Sequence, residues 1–251
     1  MSESDLKLAN APIVEAVLDI ECDLPPSPEF TALEMPARDC FRVEYPNFQI
    51  QYMDEVEFEI KVGEPPNTLR RRGIHAFQFL SADEKQVVQI RRQGYSFNRL
   101  ARYSGLDDYL PEIERTWGLF VGLACPIRIR SVRLRYINRL SLPRREGLVE
   151  LNDYLRIGPR LPDELGLTFV GFLNQHSAVE TETGHEVNIV LTSEPGELEV
   201  HPVIFDITVV SPTSTEPEDW PFILSRIQSL RTLKNRIFRD TLTEECLKLF
   251  Q

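Results

Sequence analysis

IHAFQFLSADEKQVVQIRRQGYSFNRLAR, residues 74–102, holds three β-like runs in succession: Ile74 to Leu80, Gln86 to Arg92 and Tyr95 to Arg102. Ser81-Ala82-Asp83-Glu84 separates the first two and Gln93-Gly94 the last two, and both connections suit hairpins. Strands joined this tightly pair antiparallel, because a parallel neighbour needs a far longer crossover. A helix is expected next. Asp107 or Asp108 can cap it, Pro111 falls in its tolerant first turn, and Leu110, Ile113, Trp117, Phe120 and Val121 share one face.

Upstream, Val14, Ala16, Leu18, Ile20 and Cys22 alternate with Glu15, Asp19 and Glu21, with Val17 on the acidic side. That pattern predicts a strand with one buried and one acidic face. Pro25, Pro26 and Pro28 end it, and a short helix is expected over Thr31 to Val43 with Pro36 near its start. Glu55, Glu57, Glu59 and Lys61 then alternate with Val56, Phe58, Ile60 and Val62 as a second acidic-faced strand. Gly63 to Thr68 forms a loop into Arg70, Arg71 and Arg72.

Downstream the same order recurs. Thr168 to Asn174, Val187 to Thr192 and Leu198 to Val210 read as strands, with Glu194-Pro195-Gly196-Glu197 as a turn. A long helix starting in the Glu216-Pro217-Glu218-Asp219 cluster turns Ile223, Ile227, Leu230 and Ile237 inward, and Arg231, Lys234, Arg236 and Arg239 suit its C-terminal turns. A closing helix runs from about Thr241, with Glu244 completing a capping-box pattern, to Phe250. The expected fold class is α+β: a mainly antiparallel sheet from two meander-plus-helix halves, residues 1–145 and 146–251, fused into one unit with helices on one face.

Charge is segregated along the chain. Residues 70–145 hold 16 Lys+Arg against 6 Asp+Glu, while the remainder holds 12 against 33, within a net charge of −11. The basic excess peaks over Ile127 to Leu140, where Arg128, Arg130, Arg133, Arg135 and Arg139 lie on one expected strand. Its alternation changes phase at Ser131, which a β-bulge would accommodate. Together with Arg91, Arg92, Arg99 and Arg102, and with Tyr95, Phe97 and Tyr136 nearby, Arg128, Arg130, Arg133 and Arg135 can be read as a surface for phosphates and bases. They can also be read as an internal ladder facing Glu15, Asp19, Glu21, Glu55, Glu57 and Glu59 across one sheet. The acidic balance of the whole chain favours the ladder, or an acidic protein partner, over nucleic acid.

No phosphate loop, nucleophile elbow, zinc helix or dinucleotide turn occurs. His176, Glu180, Glu182, His185 and Glu186, with His201 downstream, are the residues from which a metal-dependent hydrolase could be built, although a solvated polar hairpin explains them too. His75 reads as a structural donor, and Asp206 as a carboxylate on a half-exposed strand face. Cys22, Cys40, Cys125 and Cys246 are far apart among apolar neighbours, which predicts small buried residues and neither disulfide nor zinc site. Met1 to Ala9 lacks the apolar core of an export signal and no run is long enough to span a membrane, so the cytoplasm is the expected compartment.

Asn10-Ala11-Pro12-Ile13-Val14-Glu15-Ala16-Val17, Arg135-Tyr136-Ile137-Asn138-Arg139 and the closing Phe238-x-x-x-Leu242-Thr243 carry a resemblance over nearly the full chain. By these segments the chain resembles an uncharacterised, sporadically distributed family of bacterial proteins. The resemblance implies an accessory protein of phage-defence neighbourhoods, CRISPR loci with a caspase-like protease among them, that docks to or restrains another protein. It brings no catalytic assignment. The expected function is therefore non-enzymatic binding of a protein partner encoded nearby, with no cofactor, through Arg128, Arg130, Arg133, Arg135, Arg91 and Arg99. A nucleic-acid-binding regulator using residues 127–140, and a metal-dependent hydrolase using residues 176–201, are the alternatives.

Overall fold

The computed structural model describes residues 8–59, 67–100, 103–144, 148–162, 166–167, 169–195 and 199–251, without the side chains of 55–59 and 67–71. Nine strands form one sheet: β1 (Ile13–Asp23), β2 (Asn47–Glu59), β3 (Asn67–Leu80), β4 (Gln86–Arg91), β5 (Gly94–Leu100), β6 (Arg128–Pro143), β7 (Leu173–Val179), β8 (Glu186–Ser193) and β9 (Val200–Thr215). They lie in the order β2-β3-β4-β5-β1-β6-β9-β8-β7, and every neighbouring pair is antiparallel. The helices are α1 (Glu34–Phe41), entered through a 3-10 turn at Phe30–Leu33, α2 (Leu110–Ala124), α3 (Leu151–Tyr154), α4 (Trp220–Thr241) and α5 (Glu244–Lys248). The chain is α+β, with the sheet dominant.

The element order runs through the same sequence twice. A strand, a short helix, a meander and a long helix appear as β1, α1, β2 to β5 and α2, then as β6, α3, β7 to β9 and α4. In each pass the opening strand pairs with the last strand of its own meander. The two opening strands, β1 and β6, pair with each other at the centre, where Leu18 lies opposite Leu134. The second pass opens at β6, ahead of residue 145, and one sheet crosses both halves.

Strand alternation decides the layers. Leu18, Ile20, Phe77, Phe79, Val88, Ile90, Tyr95, Phe97, Leu134, Tyr136, Phe205 and Ile207 are buried on one face and join a single core with α1, α2 and α4. α1 lies over β3, α2 over β5 and α4 over β6 and β9. Phe41 and Phe79 stack at 4.9 Å between ring centroids, and Tyr95 meets Trp117 edge-on at 5.6 Å, so aromatic contacts fasten the first two helices to the sheet. Trp117 Nε1 also donates to the Pro217 carbonyl at 3.0 Å, tying α2 to the approach of α4.

Several expectations change. The first strand of the second meander is Leu173–Val179 and not Thr168 to Asn174. Neither Asp107 nor Asp108 caps α2, whose N-cap is Tyr109, and Asp107 instead pairs with Arg231 of α4 at 2.7 Å. α4 does start in the expected cluster, capped by Asp219 through the Phe222 N–H, and buries Ile223, Ile227 and Leu230 as expected, but its stripe also includes Leu233, Lys234 and Phe238 while Ile237 is only half-buried. Thr243, not Thr241, caps α5 through the Cys246 N–H. Cys40 and Cys125 are exposed, whereas Cys22 and Cys246 are buried. The expected features at Lys61, Gly63 to Pro66, Arg102, Thr168 and Gly196-Glu197, and the side chains of Glu55, Glu57, Glu59, Arg70 and Arg71, lie outside the described residues.

Candidate functional site: a charged trough on the open sheet face

The face of the sheet away from the helices is polar and concave. A cavity of about 490 Å³ is lined from Gln51 on β2 and His75 on β3, through Arg91, Asn98, Asp19, Arg133 and Asp206, to Asn188 on β8. Residues so far apart in strand order share one cavity because the sheet curls, the consequence of accumulated right-handed twist.

The arginine strand β6 supplies the positive side of this trough. The phase change at Ser131 is a bulge, since the register to β9 slips between Ile129 and Ser131. After the slip Val132, Leu134 and Tyr136 point into the core, and Arg133 and Arg135 point into the trough. Arg133 reaches Glu21 at 3.0 Å and Asp19 at 3.7 Å. Arg135 grips Asp206 on β9 with Nε and Nη2, the closest approach being 2.6 Å. That hydrogen bonding holds the Arg135 guanidinium above its ordinary pKa. Outside the trough lining, at the end of β1, Asp23 takes both Arg128 at 3.0 Å and Arg130 at 3.3 Å.

Arg91 comes from β4, two strands away from Asp19, and yet lies 2.8 Å from it. The strand between them makes this reach feasible: β5 shows Gly94, Ser96 and Asn98 to the trough, and Ser96 lies directly opposite Asp19. Short side chains there let a guanidinium pass over. Asp19 is the most enclosed charge of the set, with its side chain 8% exposed. Asp19 Oδ1, Arg91 Nε and Arg133 Nε are buried without a hydrogen-bond partner in the protein, so this triad is held by proximity of charge more than by aligned bonds.

Polar neutral side chains fill the remaining floor. Asn98 donates to Glu15 at 2.8 Å and accepts from Ser96 at 2.9 Å and Gln89 at 3.3 Å. His75 lines the trough wall. Gln89, Ser96, Asn98 and Asn188 also line the trough, and none of them belongs to the arginine pattern that points to it in sequence. Their signal lies in strand alternation, which sets polar side chains on the face opposite the apolar one.

Of the six expected binding arginines, Arg91, Arg133 and Arg135 line the trough, while Arg128 and Arg130 do not, and all five have a carboxylate partner. Arg99 is on the helix-covered face, its guanidinium 5.1 Å from the centre of the Tyr109 ring. A further cavity of about 660 Å³ lies at the C-terminal end of β1, between the proline loop, Arg92 and Arg130.

The histidines do not converge. His176 is exposed on β7, His185 is buried with Nε2 at 2.9 Å from Ser229 Oγ, and His201 is buried on β9 against Phe172. Glu180 pairs with Arg236 and accepts from Thr183. Among the described residues no group of three or more His, Cys, Asp or Glu is placed to share an ion. Burial pushes the Cys22 and Cys246 thiols up to about 12, so both stay protonated at neutral pH.

The stretch Tyr136 to Arg139 on β6 is structural in its detail. Asn138 is buried and donates to the Phe205 carbonyl at 2.9 Å and the Tyr136 carbonyl at 3.3 Å, while Arg139 pairs with Glu194 at 3.0 Å. Among the described residues no helix is long and apolar enough to cross a membrane. No family model matches the chain, and no curated protein matches it in sequence.

Proposed function

We propose that this chain is a non-enzymatic, cytoplasmic binding module whose trough receives a segment of a partner protein, in the accessory phage-defence role that its resemblance implies. The observation that carries the reading is the state of the trough arginines: each is already matched to a carboxylate, on a neighbouring strand for Arg133 and Arg135 and two strands away for Arg91. A phosphate backbone would have to displace Asp19, Glu21 and Asp206, and repulsion from those acids opposes it. A polypeptide bearing both signs of charge, with backbone groups to offer Gln89, Asn98 and Asn188, meets no such penalty.

Recovery of the tagged chain from its native host, with and without nuclease, tests this reading. A defined protein should remain bound after nuclease treatment, lose affinity as salt rises, and be released by Arg135→Glu. Loss of all retained material on nuclease treatment would instead support the nucleic-acid reading of Arg128, Arg130 and Arg133. Failure to retain any protein would remove the proposal.

A further inference from the structure

Among the described residues β7 ends the sheet, and its seven residues, LNQHSAV, include no Asp, Glu, Lys, Arg or Pro. The opposite edge strand, β2, carries Asp54, Glu55, Glu57 and Glu59 in sequence, the kind of charge that keeps a free edge from pairing. β7 lacks that protection. Large apolar side chains also gather at this end: Leu173 is 70% exposed, Val179 62%, and the preceding Leu167 and Val170 56% and 101%. The pairing with β8 fixes the faces of β7. Gln175 Nε2 and Ser177 Oγ both donate to Asn188 Oδ1, and Asn188 lines the trough, so Leu173, Gln175, Ser177 and Val179 share the trough side.

We propose that β7 pairs with β7 of a second copy of this chain, antiparallel about a two-fold axis through His176. The strand is self-complementary in that register. Leu173 meets the partner's Val179, Gln175 meets the partner's Ser177, and the axis repeats both contacts. Antiparallel neighbours opposite one another point to the same side of a sheet, so this register also keeps both troughs on one side. It is the register that uses all seven residues. The two-fold therefore extends the nine-stranded sheet and covers its unprotected end.

Electrostatics separate this contact from trough binding. Each copy carries a net charge of −11 and repels the other, while β7 brings no charged side chain to the contact. Screening by salt therefore strengthens self-association, the opposite of its expected effect on a partner held by the trough.

Sedimentation velocity over micromolar to sub-millimolar protein, at low and high salt, is the test. Wild type should form a dimer that tightens with salt. L173K/V179K sets lysines opposite each other at both ends of the paired strands and should weaken the dimer about tenfold or more. L173K/V179E sets lysine opposite glutamate in the same register and should hold the dimer within about threefold of wild type. Both positions are exposed in the single chain, and far-UV circular dichroism checks that each variant folds. A wild type that stays monomeric throughout overturns the proposal and leaves the edge to a strand from another protein. Equal weakening of the dimer by both variants, or no effect of L173K/V179K, overturns the register. Neither outcome bears on capture of a partner by the trough.

Discussion

His185 and His201 are buried imidazoles in different company, and their burial gives the protein a pH response. Removal from water lowers both below the ordinary value of 6.5; the neighbouring Arg144 lowers His201 further, whereas Glu180 works the other way on His185. Arg144 Nη2 lies 3.4 Å from His201 Nδ1, so Nδ1 is the accepting nitrogen and the proton sits on Nε2, which has no partner in the protein. An unfolded chain protonates these histidines near 6.5, and the folded chain does so only at lower pH. Below 6.5 the unfolded state then binds more protons and stability falls as pH falls. Asp83, Glu112 and Glu180 have lowered pKa values and add to stability until the pH drops through the carboxylate range, so the first part of the decline belongs to the histidines. Urea denaturation at about pH 7.5 and about pH 5.5 should show a lower stability at the acid value, and His185→Gln with His201→Phe should flatten the difference. Equal stabilities for wild type would refute it. The same residues account for the metal-dependent alternative over 176–201 and for its lack of an ion site among the described residues. Spacing brings His176, His185 and His201 close in the chain, but one points to solvent and two are buried against Ser229 and Phe172.

The hairpin between β4 and β5 carries the tightest geometric demand among the elements. Gly94 has φ +135°, and a Cβ there would lie 2.2 Å from the Ile20 carbonyl of β1 and 3.1 Å from the Cys22 amide. Backbone cannot yield as a long side chain can, because the Cys22 N–H is itself bonded to the Gln93 carbonyl at 2.9 Å. Gly94→Ala should destabilise the fold by about 2–4 kcal/mol, from unfavourable φ and the forced separation of β5 from β1. Chemical denaturation measures it, and a loss within error of zero would show that the strands part easily. Gln93-Gly94 was legible as a hairpin, as were β4, β6 and the capped α4, because alternation and turn chemistry are local. The ends of elements were not. Asp107 resembles an N-cap in sequence, yet Arg231, 124 residues later, claims its carboxylate. Thr168 to Asn174 is as apolar as a strand, and the actual β7 is the more polar segment after it, because the hydrogen-bond register of β8 and β9 fixes where pairing begins.

At the scale of the molecule, the segregation of charge was legible and its resolution was not. The acidic side of β1 and the basic side of β6 are evident by alternation, but their pairing spans more than a hundred residues and depends on two meanders folding back to the same centre. That central pairing has a mechanical consequence. β1 and β6 each bind the last strand of their own meander on one side and each other on the second side, so neither half has a sheet edge of its own at the junction. Separating the halves would expose Leu18 and Leu134, break the Asp19–Arg133 and Glu21–Arg133 pairs and free Trp117 from Pro217. The two halves should therefore unfold together. The chain has two tryptophans, and they divide between the halves, Trp117 in α2 and Trp220 at the start of α4. Trp220→Phe leaves a reporter of the first half and Trp117→Phe a reporter of the second. In each variant the denaturant midpoint by tryptophan fluorescence should coincide with that by far-UV circular dichroism, which averages over the whole sheet. A fluorescence transition that precedes the loss of secondary structure in either variant would mean that one half opens alone, and that the β1–β6 seam joins two separately stable sheets.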